Sequence, residues 1–336
     1  MMINYIFKRL EYKNYSQMIS LIEERHQDEM TYFSWMKELN QIQIDQLTNT
    51  IKSMFSDHSW VGVGAFDEEL LIGYIMGKCE LLERKSIVKV TFEGISLKHD
   101  VSSEVLRQIY QHVSMLWIEQ GCLKHEVYIP LGDHRYLKAL QGLSFFEEQA
   151  YAINDLSKPL TFDKLHQVNV RIANEKDQKL IESMSDIIFS YQNQSPVYVP
   201  AYPEMVKKIR EGYRNIVFDK EVTILIAEID SKPAGFHLYE SLQPTWHIPK
   251  DTCELTVAAT YKHMMGQGIG RSLMIEGYLL MKTKDYRFIH TDWRIANLAS
   301  STFWPTCGFV PYMKRMVRII DQDILWANFS HKDNQR

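Results

Sequence analysis

The chain has 336 residues, 45% hydrophobic, 24% charged and 12% aromatic, a composition that excludes a disordered or collagen-like protein and leaves room for two domains. With 38 basic and 42 acidic side chains the net charge is -4, which argues against a dedicated nucleic-acid binder, since those carry a basic stripe. No apolar run is long enough to span a bilayer and no secretory signal stands at the N-terminus, so a cytoplasmic protein with neither membrane nor nucleic-acid partners is expected.

Taken in chain order, Tyr5-Ile6-Phe7 reads as an opening strand, and helical periodicity follows over residues 16–27 and 44–55. Residues 60–66 and 70–78 form a predicted hairpin around Asp67-Glu68-Glu69. A strand at 86–95, a helix at 102–119, a strand at 126–129 and a short helix at 136–142 complete the first half, which closes on Phe145-Phe146. Residues 152–168 read as a joint, because Asn154-Asp155-Leu156-Ser157-Lys158-Pro159 is polar and ends in proline.

The second half repeats the order. A strand at 168–172 precedes helices at 176–190 and 204–213, then a hairpin of 222–229 and 234–241 around Asp230-Ser231-Lys232-Pro233. A strand at 253–259, a helix running to 282, a strand at 288–293, a helix at 296–304 and strands from Phe309 follow. This pattern predicts a tandem duplication with domains at 1–160 and 161–336, although identity between the halves is low. Residues 1–160 hold 16 basic and 22 acidic side chains, and residues 161–336 hold 22 and 20. The second half is therefore the easier place to bind an anion. Cys79, Cys122, Cys253 and Cys307 have no metal-ligand spacing, so reduced thiols and no metal site are expected.

The most informative segment is His263-Met264-Met265-Gly266-Gln267-Gly268-Ile269-Gly270-Arg271-Ser272-Leu273. Strand, glycine loop and helix together suit a phosphate. Glycines turn backbone N–H groups inward, and the helix N-terminus adds partial positive charge. A Walker A loop would need Gly-Lys-Ser/Thr, and a dinucleotide fingerprint would read GxGxxG where this chain reads GxGxG. A glycine-rich turn with no ligand is the alternative.

The segment resembles motif A of the GNAT acetyltransferase superfamily, with Gly268-Ile269-Gly270 at the glycine positions and Met265 where that family usually has Arg or Gln. Downstream, Asn297-Leu298-Ala299-Ser300-Ser301-Thr302-Phe303-Trp304-Pro305-Thr306-Cys307-Gly308-Phe309 resembles its motif B, at the family's spacing. The resemblance covers about residues 168–321 by motif and the first half by element order alone. It implies an α/β fold of two tandem GNAT-like domains, each a mixed, mostly antiparallel sheet flanked by helices. Two central parallel strands splay apart to admit acetyl-CoA as co-substrate. Its pyrophosphate would lie on Met265, Gly266, Gln267, Gly268, Ile269, Gly270 and Arg271, and its pantetheine along Val257, Ala258 and Ala259, whose backbone would polarise the thioester carbonyl. Asn297 would touch the pantetheine amides or simply start a helix.

Transfer to an amine requires a neutral nucleophile, so a base must take the ammonium proton. Glu254, 14 residues before Gly268, stands at the spacing of the family's strand glutamate, although an alternating strand can equally point it outward. The family's proton-donating tyrosine is replaced by Trp304, whose indole is no useful acid. Tyr312, Cys307 and His290 remain as substitutes, each with a plain core reading. Asp292 at a strand end would bind a cationic acceptor or cap the next helix. Tyr191 and Tyr198, in a polar, aromatic connection, would line a lid over a small molecule or belong to a plain proline-bearing loop.

In the first half the matching stretch, residues 96–104, has no glycine, and Asp100 and Glu104 would repel a phosphate. Ser102 or Ser103 reads there as a helix cap, and Glu23, Glu24, Asp28 and Glu29 as a solvated face, with attraction of a cationic acceptor as the alternative. Residues 1–160 are thus expected to be a degenerate copy that packs on the second domain and walls part of the acceptor site. The expected activity is direct acetyl transfer to an amine of a small molecule or peptide. The alternative is a CoA-binding regulatory or interaction protein. The sequence leaves a homodimer open.

Overall fold

A computed structural model describes residues 5–82, 85–160 and 167–327; part of the expected joint, residues 161–166, lies outside them. The chain forms two compact units, one of residues 1–148 with 312–336, the other of residues 149–311. No helix among the described residues is long and apolar enough to cross a membrane.

The first half contributes β1 (Ile6–Arg9), α1 (Tyr15–Met30), α2 (Gln41–Ser56), β2 (Trp60–Asp67), β3 (Leu70–Leu82), β4 (Lys85–Val90), β5 (Ile95–Leu97), α3 (Ser103–Glu119), β6 (Lys124–Pro130), α4 (His134–Gln141) and β7 (Phe146–Asp155). The second contributes β8 (Asn169–Ile172), α5 (Gln178–Gln192), α6 (Pro203–Ile216), β9 (Thr223–Ile229), β10 (Lys232–Ser241), β11 (Thr252–Thr260), α7 (Ile269–Thr283), β12 (Phe288–Arg294), α8 (Leu298–Thr306) and β13 (Val310–Ile319). The helices obey local rules. Ser102 caps α3 by accepting from the Glu104 N–H at 3.2 Å. From there Val105, Leu106, Ile109, Tyr110, Val113 and Trp117 recur at helical spacing and are buried. Asn40 and Gln43 close a reciprocal capping box on α2, and Pro203 opens α6.

The sheet of the first unit runs β1-β2-β3-β4-β6-β13, and that of the second runs β8-β9-β10-β11-β12-β7. Neighbours are antiparallel except β4 with β6 and β11 with β12. The two orders match, with one exchange: the closing strand of each half completes the other unit's sheet. Asp155 pairs with Phe288 and Gln149 with Arg294, while Met313 pairs with Pro130 and Ile319 with Lys124.

This corrects the simple division at 160/161. Asn154 and Asp155 are not a linker but the end of a ten-residue strand. Ala150 and Ala152 on that strand join the second unit's core, and the buried Asn154 amide donates to the Cys307 carbonyl at 2.6 Å. A second correction concerns residues 86–95, expected as one strand. A single turn of 3-10 helix at Phe92–Gly94 breaks it. The long β3 pairs with β4 along its far end and with β5 nearer its start.

In the second unit the sheet is packed on both faces. Leu255, Leu273, Ile289 and Trp304 meet on the side of α7 and α8. Ile181, Met184, Phe236 and Leu238 meet on the side of α5.

Candidate functional site

The parallel strands β11 and β12 stay in register only from Thr252 opposite Phe288 to Glu254 opposite His290. Beyond that they part, and the Thr291 hydroxyl closes the apex by donating to the Leu255 carbonyl at 2.9 Å. On the other side of β11 the register with β10 slips, because Leu238 faces Val257 and Tyr239 faces Leu255. Thr256 is thus the extra residue of a bulge, which twists the strand and switches the face of the residues after it. Leu255 packs toward α7, whereas Val257 and Ala259 pack toward α5.

A cavity of about 700 Å³ fills the space between the parted strands. It runs along residues 255–260 of β11, faces Asp292 and Trp304, and opens onto the glycine loop. Gly266 and Gly268 have φ of 80° and 76°, the left-handed region in which a side chain is strained. A Cβ on Gly266 would meet nothing within 4 Å, so the cradle is open. Gly268 is the N-cap of α7 and offers no side chain. The first-turn N–H groups of Ile269 and Gly270 therefore have no partner from within the helix and are suited to an anion. These residues fit a diphosphate on the loop with an extended chain along β11.

Of the residues expected to hold the cofactor, all but Gln267 line this cavity. Met265 is 43% exposed, and its sulfur accepts a hydrogen bond from the Tyr191 hydroxyl at 2.8 Å, which ties the end of α5 to the loop. Tyr198 does not line the cavity; it is 70% exposed. Asn297 lines the cavity and caps α8, accepting from the Ser300 N–H at 3.3 Å. Asp292, free of capping duty, takes a hydrogen bond from the Gln149 amide. Trp304 is buried against Phe303 and Phe309.

Glu254 does not line the cavity itself. It stands at the last paired position below it, on the face shared by Val257, with its Oε1 3.5 Å from His290 Nδ1. The Tyr151 ring stacks on His290. Across β10 lies Glu240, whose carboxyl is pushed up by burial, then by the charges of Glu254 and Asp219. This face of the sheet is thus acidic and aromatic. Of the substitute acids, Tyr312 belongs to the other unit, packed beside Trp35 and Phe92. Cys307 is buried, with its thiol pushed up to about 12 by that burial.

The residue that sequence reasoning missed is His237. It is only 2% exposed yet lines the cavity. The one signal was an imidazole within the otherwise apolar run 234–238. Gln149 was missed because the strand that carries it is not legible in the sequence and the residue falls within the expected first domain.

At the equivalent place in the first unit, side chains of that unit take up the backbone groups. Arg25 donates to the Phe92 and Ile95 carbonyls at 3.0 and 2.5 Å. The Tyr136 hydroxyl accepts from the Leu97 N–H at 2.9 Å, and Arg135 donates to the carbonyls of Lys98, His99 and Val101. The acidic residues of α1 are not simply a solvated face. Glu24 accepts from the His99 N–H, Asp28 meets the His99 ring, and Glu29 is 1% exposed.

No family model matches the sequence, and no curated protein matches it. Solved structures do. A GCN5-related N-acetyltransferase from Sphaerobacter thermophilus superposes with a TM-score of 0.57 over 93% of this chain and 94% of its own, at 10% identity. A glucosamine N-acetyltransferase region of a fungal multi-domain GH3 beta-N-acetylglucosaminidase gives 0.52 over 94% of this chain and 38% of that protein, at 11% identity. At such identities the likeness is one of fold.

Proposed function

Starting from a chain with two tandem units of the GCN5-related N-acetyltransferase fold, we propose that the second unit transfers an acetyl group from acetyl-CoA to a primary amine of a small molecule or peptide. One observation carries the reading. The cleft where β11 and β12 part opens directly onto an α7 N-terminus whose cap is a left-handed glycine.

The chemistry follows from the residues around that cleft. Backbone N–H groups of the loop hold the diphosphate. The backbone at Val257 and Ala258 polarises the thioester carbonyl. Asp292, oriented by Gln149, attracts the cationic acceptor at the mouth. Glu254, beside His290, takes the amine proton by way of water, because it lies below the cavity and not in it. A CoA-binding protein without turnover is the second reading, favoured by Trp304 in the place of the usual tyrosine.

Calorimetric titration with acetyl-CoA tests the assignment. One site per chain is expected, abolished in Gly268→Glu, with free-thiol release in a panel of primary amines. No binding at millimolar acetyl-CoA would overturn it, and binding without thiol release would favour the second reading.

A further inference from the structure

On β10, Phe236 and Leu238 pack toward α5, while Tyr239 packs toward α7. Alternation therefore turns His237 toward α7 and α8, where its ring lies 6.2 Å from that of Trp304. His237 is also the cross-strand partner of Ala258, at the stretch of β11 where the thioester carbonyl is polarised in the proposed reaction. It is a buried imidazole on the cavity wall.

One ring nitrogen is already committed. Nδ1 lies 3.1 Å from the Tyr239 hydroxyl. That hydroxyl is fully buried, and burial raises its pKa far above the ordinary value, so it stays a phenol. It fits there because residue 277 is glycine; a Cβ would collide with it. Among the described residues Nδ1 is the hydroxyl's one hydrogen-bond acceptor, so the phenol donates, Nδ1 accepts, and the ring proton sits on Nε2. Burial holds the imidazole neutral, with its pKa pushed down to about 3. The titratable groups that bear on the Tyr239 hydroxyl are Cys253 and Cys307, and Arg271 bears in turn on Cys307.

We propose that His237 Nε2–H is the hydrogen-bond donor to the departing CoA sulfur, the duty that Trp304 cannot perform. The inference rests on the acetyl-transfer reading. The amine lone pair forms the C–N bond while the carbonyl π pair moves onto oxygen. As the carbonyl re-forms, the C–S bond breaks and its electron pair goes to sulfur. Sulfur leaves as a thiolate held by Nε2–H and takes its proton from water on release. The amine proton leaves separately, toward Glu254. His237 stays neutral throughout, so the thiolate is the one charge formed beside it.

The test needs no acceptor. CoA is bound to the full-length protein, and its thiolate absorbance is followed against pH, with acetyl-CoA as the blank. In the wild type, hydrogen bonding to an anion should raise the acid dissociation constant of the bound thiol roughly ten- to a hundredfold over free CoA. His237→Leu should lose that shift, with CoA affinity within about threefold of wild type. His237→Gln, which keeps an N–H donor, should retain part of it even if the leucine variant folds poorly. Equal titration of the bound thiol in wild type and both variants would overturn the role of His237 and leave the proposed function standing. Failure of the wild type to bind CoA would overturn both.

Discussion

Glu240 and Glu254 stand opposite each other across β10 and β11, and burial together with the Glu254 charge raises the Glu240 carboxyl above its ordinary value. A raised carboxyl favours the folded state while protonated. Its contribution is complete below the unfolded pKa and is lost as pH rises through the folded one. Glu240→Gln should therefore raise the melting temperature at neutral pH and flatten its fall with rising pH. Thermal melts across pH 4–8 check this; a steeper fall in the variant would refute it.

Glu29 gives a larger effect in the first unit. Burial raises its pKa to about 7, against an opposing pull from Arg25. Protonated Glu29 stabilises the unit below about pH 4.5, and that stabilisation disappears as pH passes about 7. A shift of this size is worth on the order of 3 kcal/mol. Glu29→Gln should melt higher than wild type at pH 8 and show little gain at pH 5, as read by calorimetric scanning.

Gly266 and Gly268 share a conformation but are expected to differ in consequence. Gly266→Ala adds a Cβ with nothing within 4 Å, so it should cost only the left-handed strain, about 1 kcal/mol of stability, with modest loss of acetyl-CoA affinity. Gly268→Ala carries the same strain at the mouth of α7, where the proposed diphosphate would meet the N–H groups, and should weaken binding more. Paired melts and titrations separate strain from contact.

Tyr136→Phe removes the acceptor of the buried Leu97 N–H. An orphaned buried donor costs about 1–3 kcal/mol, so the variant should unfold at lower denaturant. Its acetyl-CoA stoichiometry should remain one, because Arg25 and Arg135 still occupy the neighbouring carbonyls. A second site in this variant would mean that the tyrosine alone closes the first unit's cleft.

The glycine loop, the doubled order of elements and the helix caps were legible in the sequence because each is encoded locally. Ser102 needs only Glu104, and Gly268 needs only the turn it makes. The face of Glu254 was not legible. Parity along β11 changes at Thr256, and a bulge is set by the register with a distant strand. Nor was β7, since a polar end at Asn154 and Asp155 looks like a linker until Cys307 and Phe288 supply partners from far along the chain. His237 was hidden for the same reason: a strand histidine reads as core until Tyr239 and the parted strands give its two nitrogens different surroundings.

The strand exchange bears on how such a gene can change. A truncation to residues 161–336 would strip β12 of its neighbour and leave a bare strand edge, a known invitation to aggregation. It would also take away Gln149, the donor to Asp292. The half whose backbone groups are taken up by Arg25, Tyr136 and Arg135 thus cannot be deleted without harming the other. Selection for the proposed site would by itself keep both halves in the reading frame, because the sheet that carries it draws a strand from each.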